Sequence, residues 1–584
     1  MNNTVELKQN NTFISNTYKK ALIPCMLSVL SANINVIVDG ILVGQKLGNN
    51  ALAAINICLP VNLFLCIIGS LFSSGTAINA SKTIGSNNKS GNGNGYYNAG
   101  IVLSYISSII ITFLGVFFIN DICLFLCSNM AVYPYVREYA LITLIGSIFR
   151  IMIYIPFWYL RLDGKNKQVS VIMSILTLGN IILDILFVFV FSFGVFGAGL
   201  ANVIATAIAM TIGFVYLSDK ESSFRFEFKL NNKHVSYKKI FTDGIPSSLN
   251  NLCSTIRILV INSMLLAAGG VAYVAVFTAV NGVFSIGECI LLGIPQASTA
   301  MLGVYEGEKD YSSCRLIVKS ELIIGAVYSS AFIVLCAALS GVVRNIYGLS
   351  DNLLIPLLFM SISIFPSLIS NSLSGYYNIS GRNGLSAIII IFKYVIFTYV
   401  FLKLATLSGI NIFSFYILSE IATLVFWFIL TGVYYYRNRS LDRFLLCDMN
   451  RFKEGKVLNF SVSNNNEEIC NASEKISDFC SNNGLTIKDT MKIQLAIEEA
   501  LVIISQVNEA AKEELDGFDL RAFVYDETKG IRIRYDGLDF NPFEGSLEGS
   551  DYMGIKMISD MIETTVYKRT FGVNTLILLL KDNR

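Results

Sequence analysis

Apolar runs of about 20 residues recur between roughly residues 17 and 436 and are separated by short polar stretches. At 1.5 Å per residue each run is long enough to cross a hydrocarbon core of about 30 Å. About twelve such runs are predicted as membrane-spanning helices. The pattern stops after RNRSLDRFL. Beyond Arg451 the runs shorten to helical and strand periods, and polar residues alternate with apolar ones.

This pattern divides the chain into a polar tail at 1–16, a six-helix lobe at 17–218, an inter-lobe loop at 219–239, a second lobe at 240–436, a linker at 437–455 and a soluble domain at 456–584. Composition agrees with the division. The chain is 53% hydrophobic and 15% charged, too apolar for a soluble globule to cover. From Arg451 onward 23 Asp and Glu stand against 16 Lys and Arg, although the whole chain has 42 and 44. The membrane part is therefore basic and the soluble part acidic. MNNTVELKQNNTFISNTYKK has no signal-peptide pattern and reads as a retained tail.

Basic residues follow every second span: Lys82 and Lys89, then Arg161, Lys165 and Lys167, then Lys220 to Lys239, Lys309 and Arg315, Arg382, and last Arg437, Arg439 and Arg443. By the positive-inside rule these loops face the cytoplasm, and an even span count puts both termini there. A multi-pass protein of the cytoplasmic membrane is expected. The twelve cysteines include no C-x-x-C, so no metal or disulfide framework is indicated.

An internal repeat is visible. YKKALIPCMLSVLSANINVIVDGILVG from Tyr18 has a counterpart in YKKIFTDGIPSSLNNLCSTIRILVINS from Tyr237, with Pro24 and Pro246 at similar places. Duplicated six-helix halves point to a transporter with its site between them near the midplane. Prolines within spans allow bends that alternating access can use.

Carboxylates inside the apolar runs mark candidate sites, because a charge facing hydrocarbon costs at least about 2.5 kcal/mol and so faces the bundle interior. Asn180 and Asp184 in LGNIILDILFVF share a helix face by their i, i+4 spacing, and Asp39 lies deep in the first span. Burial favours the neutral acid and a bound cation favours the carboxylate, so such a site can exchange a proton, a sodium ion or an organic cation. A polar helix-packing pair is the alternative for Asn180 and Asp184. In the second half, Arg257, Glu288, Lys393 and Glu420 also lie in apolar runs. Arg257 and Glu288 are on adjacent spans and are expected to pair unless Glu288 meets a cation; Lys393 is expected to snorkel or to pair within its lobe.

IVDGILVGQKLGNNALAAINICLP (37–60), YLRLDGKNK (159–167), GVFGAGLANVIAT (194–206) and GIPQASTAMLGVYEGEKD (293–310) resemble, in order, the motifs of the MATE family of multidrug and toxic compound extrusion proteins. That resemblance covers 17–436. It implies an all-α bundle of twelve transmembrane helices in two lobes, small organic cations as substrates, and coupling to H+ or Na+ at the first-lobe residues matching Asp39, Asn180 and Asp184. It implies no cofactor, and surrounding lipid with no nucleic acid as partner.

The soluble part resembles the histidine-kinase-like ATPase fold in its anti-sigma-factor kinase branch, an α/β sandwich, over 456–582. IEEALVI matches the helix with the catalytic Glu, YDGLDFNPFE the glycine turn beneath adenine, and MGIKMISDM the second glycine box. Glu499 takes the base position, with Gly537 and Gly554 in the two glycine motifs. The magnesium-binding Asn is replaced by Ile503, and Tyr535 stands where an acid should bond adenine, with Asp536 adjacent. An Ile side chain offers magnesium no oxygen. A degenerate pocket is expected, weak or silent towards ATP and magnesium and without kinase or ATPase activity, in a domain that regulates or docks a cytosolic protein. Two functions follow: a cation-coupled exporter with a regulatory domain, or a transporter-like receptor or tether that signals through it.

Overall fold

The apolar runs fold as helices, because backbone in hydrocarbon must satisfy its own hydrogen bonds. The computed structural model describes residues 12–86, 93–127, 130, 132–219, 222–227, 235–346, 352–448, 456–524, 529–543 and 562–580, apart from the side chains at 12, 36–37, 39–41, 43–45, 48–50, 52 and 271. The first lobe holds α1 (Thr12–Ile57), α2 (Leu59–Gly85), α3 (Asn94–Phe117), α4 (Ile119–Leu126), α5 (Tyr133–Ile145), α6 (Ser147–Met152), α7 (Tyr154–Leu162), α8 (Asn166–Asp184) and α9 (Gly194–Leu217). The second holds α10 (Tyr237–Glu288), α11 (Ile294–Gly307), α12 (Tyr311–Ile346), α13 (Leu354–Ile379), α14 (Asn383–Ile391), α15 (Thr398–Ser408) and α16 (Phe415–Arg437). α10 is two helices joined at Gly270, whose φ of 67° suits a residue without Cβ.

Among the described residues ten helices are long and apolar enough to cross a membrane, or eleven if the pair α5 and α6–α7, bent by 55°, is one span. The chain is a multi-pass membrane protein, but the expected count of twelve is not reached on length and composition. The first expected span falls in α1, many of whose side chains lie outside the described residues. α1 starts at Thr12, inside the stretch read as a tail, with Phe13 and Ile14 buried in the helical core.

The repeat has a backbone signature. Gly164 and Gly381 hold φ of 81° and 82° in the turns before α8 and α14, and each is followed two residues later by the Asn that opens the helix. The lobes meet along α2, which packs on α10 and α11. A Cβ at Gly75 would lie 2.1 Å from the Ile240 carbonyl, and one at Gly307 would lie 2.3 Å from the Lys82 carbonyl. Glycine lets these helices touch backbone to backbone. Asn79 Nδ2 donates to Asp243 Oδ2 at 3.0 Å, and Lys82 Nζ lies 3.3 Å from the same oxygen. This contact zone, where α2 and α11 end and α10 begins, is the basal end of the bundle.

Beyond the linker lies a two-layer α/β domain. Its antiparallel sheet runs β1 (Val457–Val462), β2 (Phe518–Val524), β3 (Lys529–Tyr535), β5 (Val573–Leu580), β4 (Ile562–Thr570) in spatial order. α17 (Asn466–Asn482) and α18 (Ile487–Ala511) cover one face, burying Leu520, Ile531, Ile533 and Leu576 against Ile493, Ile497 and Ala500.

Candidate functional site

α8 lies along α1 and is seated by two side-chain bonds. Ser170 Oγ donates to the Pro24 carbonyl at 2.5 Å and Thr177 Oγ1 to the Ser31 carbonyl at 2.9 Å, each pair 146 residues apart. The same register one heptad further places Asp184 level with Val38, next to Asp39 in sequence. The side chain of Asp39 lies outside the described residues. Asn180 and Asp184 are both fully buried, and Asn180 Nδ2 donates to Asp184 Oδ2 at 3.0 Å. The i, i+4 spacing thus brings the pair together, in the interior of the first lobe.

Asp184 is also the last α-helical residue before the π-helical segment Ile185–Val190. Two other π-helical segments carry charge in the same way: Glu288 immediately precedes Cys289–Gly293, and Lys393 lies within Phe392–Phe397. A π-turn widens the helix and leaves local carbonyls out of register, a feature common at functional sites. Nothing in the sequence pattern marks it.

The second lobe departs from expectation. Arg257 does not close an ion pair on Glu288; its Nη1 lies 3.6 Å from Glu420 Oε1, and the rings of Tyr394 and Tyr416 lie 5.7 and 5.9 Å from its guanidinium. Lys393 takes the second of its two expected fates, a pair within its own lobe. It is 2% exposed, lies 3.6 Å from Glu420 Oε2, and donates to Asn371 Oδ1 at 2.7 Å and Ser370 Oγ at 2.8 Å. Which faces meet depends on the rotation of α10, α14 and α16 about their axes, which spacing within one helix does not fix. Glu288 is half-buried, with Asn33 of α1 and Arg257 as polar neighbours, and Asn33 Nδ2 donates to the Ser285 carbonyl at 3.0 Å. It therefore sits where the lobes meet.

A buried acid inside a span, Glu321, was not among the sequence candidates. Glu321 of α12 is 1% exposed, near Ser298, Ser372 and Tyr18. Its position three turns into a span was the available signal.

In the soluble domain Glu499 and Ile503 occupy one face of α18, with Ile503 buried. Tyr535 is fully buried in the core at the end of β3, and its hydroxyl donates to the Phe540 carbonyl. Asp536 accepts from Lys20 of α1 at 3.0 Å and from the Asp516 N–H at 2.9 Å. Gly537, with φ of 90°, lies so close to Asn508 that a Cβ would meet its Oδ1 at 2.1 Å; the Leu538 N–H donates to that same oxygen at 2.7 Å. This turn is thus tied to α18. Gly554 lies outside the described residues.

The MatE family model matches residues 24–186. An FAD transporter of Shewanella oneidensis is 25% identical over 228 residues, 38% of this chain and 50% of that protein. The multidrug export protein MepA of Staphylococcus haemolyticus is 25% identical over 288 residues, 48% and 62% respectively. The chain thus spans half to under two thirds of the length of these two relatives. Among solved structures, an outward-facing multidrug resistance MATE transporter superposes with a TM-score of 0.67 at 21% identity, over 72% of this chain and 96% of its own. A MOP superfamily transporter from Pyrococcus furiosus gives 0.65 at 21% over the same shares. The membrane part has the fold of the MATE transporters.

Proposed function

We propose that the chain is a secondary exporter of small organic cations, driven by exchange for protons or sodium ions across the cytoplasmic membrane, with Asp184, Asn180 and Asp39 as the coupling group. The observation that carries this is the fully buried Asn180–Asp184 pair at the start of a π-turn. A carboxylate with an amide beside it can hold a proton when the site is dry and trade it for Na+ or a cationic substrate when water enters. Glu288, at the lobe contact, is read as a substrate contact. α1 supplies the twelfth span, both termini are cytoplasmic, and the basal end faces the cytoplasm with its Lys and Arg loops. The comparisons support export: the relatives' names are those of drug and FAD transporters.

The soluble domain is read as a histidine-kinase-like ATPase fold without its chemistry. Ile503 gives magnesium no ligand, Tyr535 is held in the core, and Asp536 already accepts from Lys20. Its role is regulatory, and a cytosolic protein partner would be the readout of the competing receptor reading.

The deciding experiment is efflux from proteoliposomes under an imposed proton gradient and then a sodium gradient, with ethidium as the cation and FAD as a second cargo. Cation efflux under one gradient and not without it is expected. No gradient-dependent flux of either cargo overturns the exporter and leaves the receptor.

A further inference from the structure

The sheet face opposite α17 and α18 is buried as well. Period-two alternation sends Asp519, Arg521, Arg532 and Arg534 to that side, and none of the four is more than 4% exposed. They are covered by the turn between α11 and α12. Arg521 Nη1 lies 2.7 Å from Asp310 Oδ1, and Arg532 lies 2.6 Å from Glu308 Oε2 and 2.8 Å from Asp310 Oδ2. Arg534 pairs with Glu308, and its guanidinium lies 3.8 Å from the centre of the Tyr305 ring. Asp519 lies 3.2 Å from both Arg532 and Arg534. Among the described residues three guanidiniums thus meet three carboxylates. Burial pushes the Asp310 carboxyl up, but Arg521, Arg532 and Arg534 together hold it well below the usual range; Asp519 faces two of the three and is left raised by burial.

The same domain grips the first lobe through β4 and its turn into β5. Lys568 Nζ donates to the carbonyls of Ile84 and Ser86, at the end of α2, at 2.5 and 2.7 Å. The Phe571 N–H donates to the Leu162 carbonyl at the end of α7 at 3.2 Å. A Cβ on Gly164 would meet the Gly572 nitrogen at 2.3 Å, so the turn lies against the loop after α7. The Phe571 ring stands edge-on to Tyr305 of the second lobe, 5.9 Å between centroids. Three residues, Lys568, Phe571 and Gly572, therefore hold the ends of α2, α7 and α11 at once.

We propose that the C-terminal domain is an autoinhibitory clasp, which when docked ties the basal ends of the two lobes together and must let go for the transporter to open on that side. The proposal rests on the alternating-access reading above. α2 and α11 finish in contact at Gly85 and Gly307, and opening the basal end separates them. β4 is bonded to the end of α2 through Lys568 and the turn after it packs on Tyr305 of α11 through Phe571, so the two ends are held together while the domain is seated. The buried ion cluster makes the seat stiff, because a charge pulled from its partners without water to replace them is strongly disfavoured.

The test uses the full chain in proteoliposomes with Phe571→Gly, Arg521→Asp, and Arg521→Asp combined with Asp310→Arg. Phe571 has φ of 44°, so glycine removes the ring and relieves the backbone together. Three readouts are taken: trypsin release of the domain, maleimide labelling of Thr299→Cys with the exposed Cys470 replaced by Ser, and gradient-driven ethidium efflux. Thr299 lines a small cavity between the lobes with Ser81, Arg161 and Gln296. Phe571→Gly and Arg521→Asp should release the domain and raise labelling and efflux by roughly fivefold or more. The charge-swapped pair should return both towards the starting protein. Released domain with unchanged labelling overturns the clasp, whatever the flux. A rise in labelling without flux of any cargo upholds the clasp and overturns the exporter reading.

Discussion

The two lobes share a glycine turn, at Gly164 and Gly381, yet the buried charges described in each are arranged differently. In the second lobe Arg257 and Lys393 both converge on Glu420, backed by Tyr394, Tyr416, Asn371 and Ser370. In the first, Asp184 meets the neutral amide of Asn180. Glu420, with a cation on each of its carboxylate oxygens, has little room for an exchangeable ion. A carboxylate bonded to an amide can take up or release a cation with its lobe intact. A repeat can therefore place the working ion site in one half and a static brace in the other.

Asp184→Asn tests the working half, and the largest effect is expected there. It keeps the side chain's size and removes the exchangeable charge. Gradient-driven efflux should fall by about a hundredfold or more, by analogy with loss of a group acting in the rate-determining state, at normal protein level in the membrane. Loss of the protein instead would return Asp184 to a packing role. Asp39→Asn should behave alike, and the double variant should be little worse than either, as for residues in one unit; losses that multiply would mean two separate sites.

Glu420→Gln tests the brace. It leaves Arg257 and Lys393 buried without their carboxylate, a change of about 3–5 kcal/mol against the fold. Thermal unfolding in detergent should shift down sharply, while the surviving protein keeps its ion dependence. Removing the cation too, with Lys393→Met added, should recover part of the shift. Unchanged melting with altered ion dependence would move the coupling site into the second lobe.

Much of this contrast was legible in the sequence. Ten or eleven of the about twelve expected spans follow from hydropathy, and the Asn180–Asp184 face from an i, i+4 spacing, both local properties of the chain. Arg257 went to Glu420 and not to Glu288 because helix rotation decides such pairs. IRIRYD showed that Arg532 and Arg534 face away from Ile531 and Ile533, which ordinarily means a solvated face. That GEKD would cover them needed the docking of two domains, and no period in either segment encodes it.

The smallest effects should come from the exposed edge of the same docking surface, where Lys20 lies 2.8 Å from Asp516 and 3.0 Å from Asp536 with its own side chain 59% exposed. Exposed ion pairs are worth about 0.2–1 kcal/mol, so Lys20→Ala should change trypsin release of the domain by less than about fivefold. It should not create a nucleotide site, because freeing Asp536 leaves Ile503 where magnesium needs oxygen. Tyr535→Asp would bury a carboxylate in the core in place of a satisfied hydroxyl, so Ile503→Asn is the cleaner repair. Calorimetry on the full chain should show no magnesium-dependent heat with ATP, before or after Lys20→Ala. Tight, magnesium-dependent ATP binding by the unaltered protein would sink the degenerate reading and make nucleotide the natural key to the clasp.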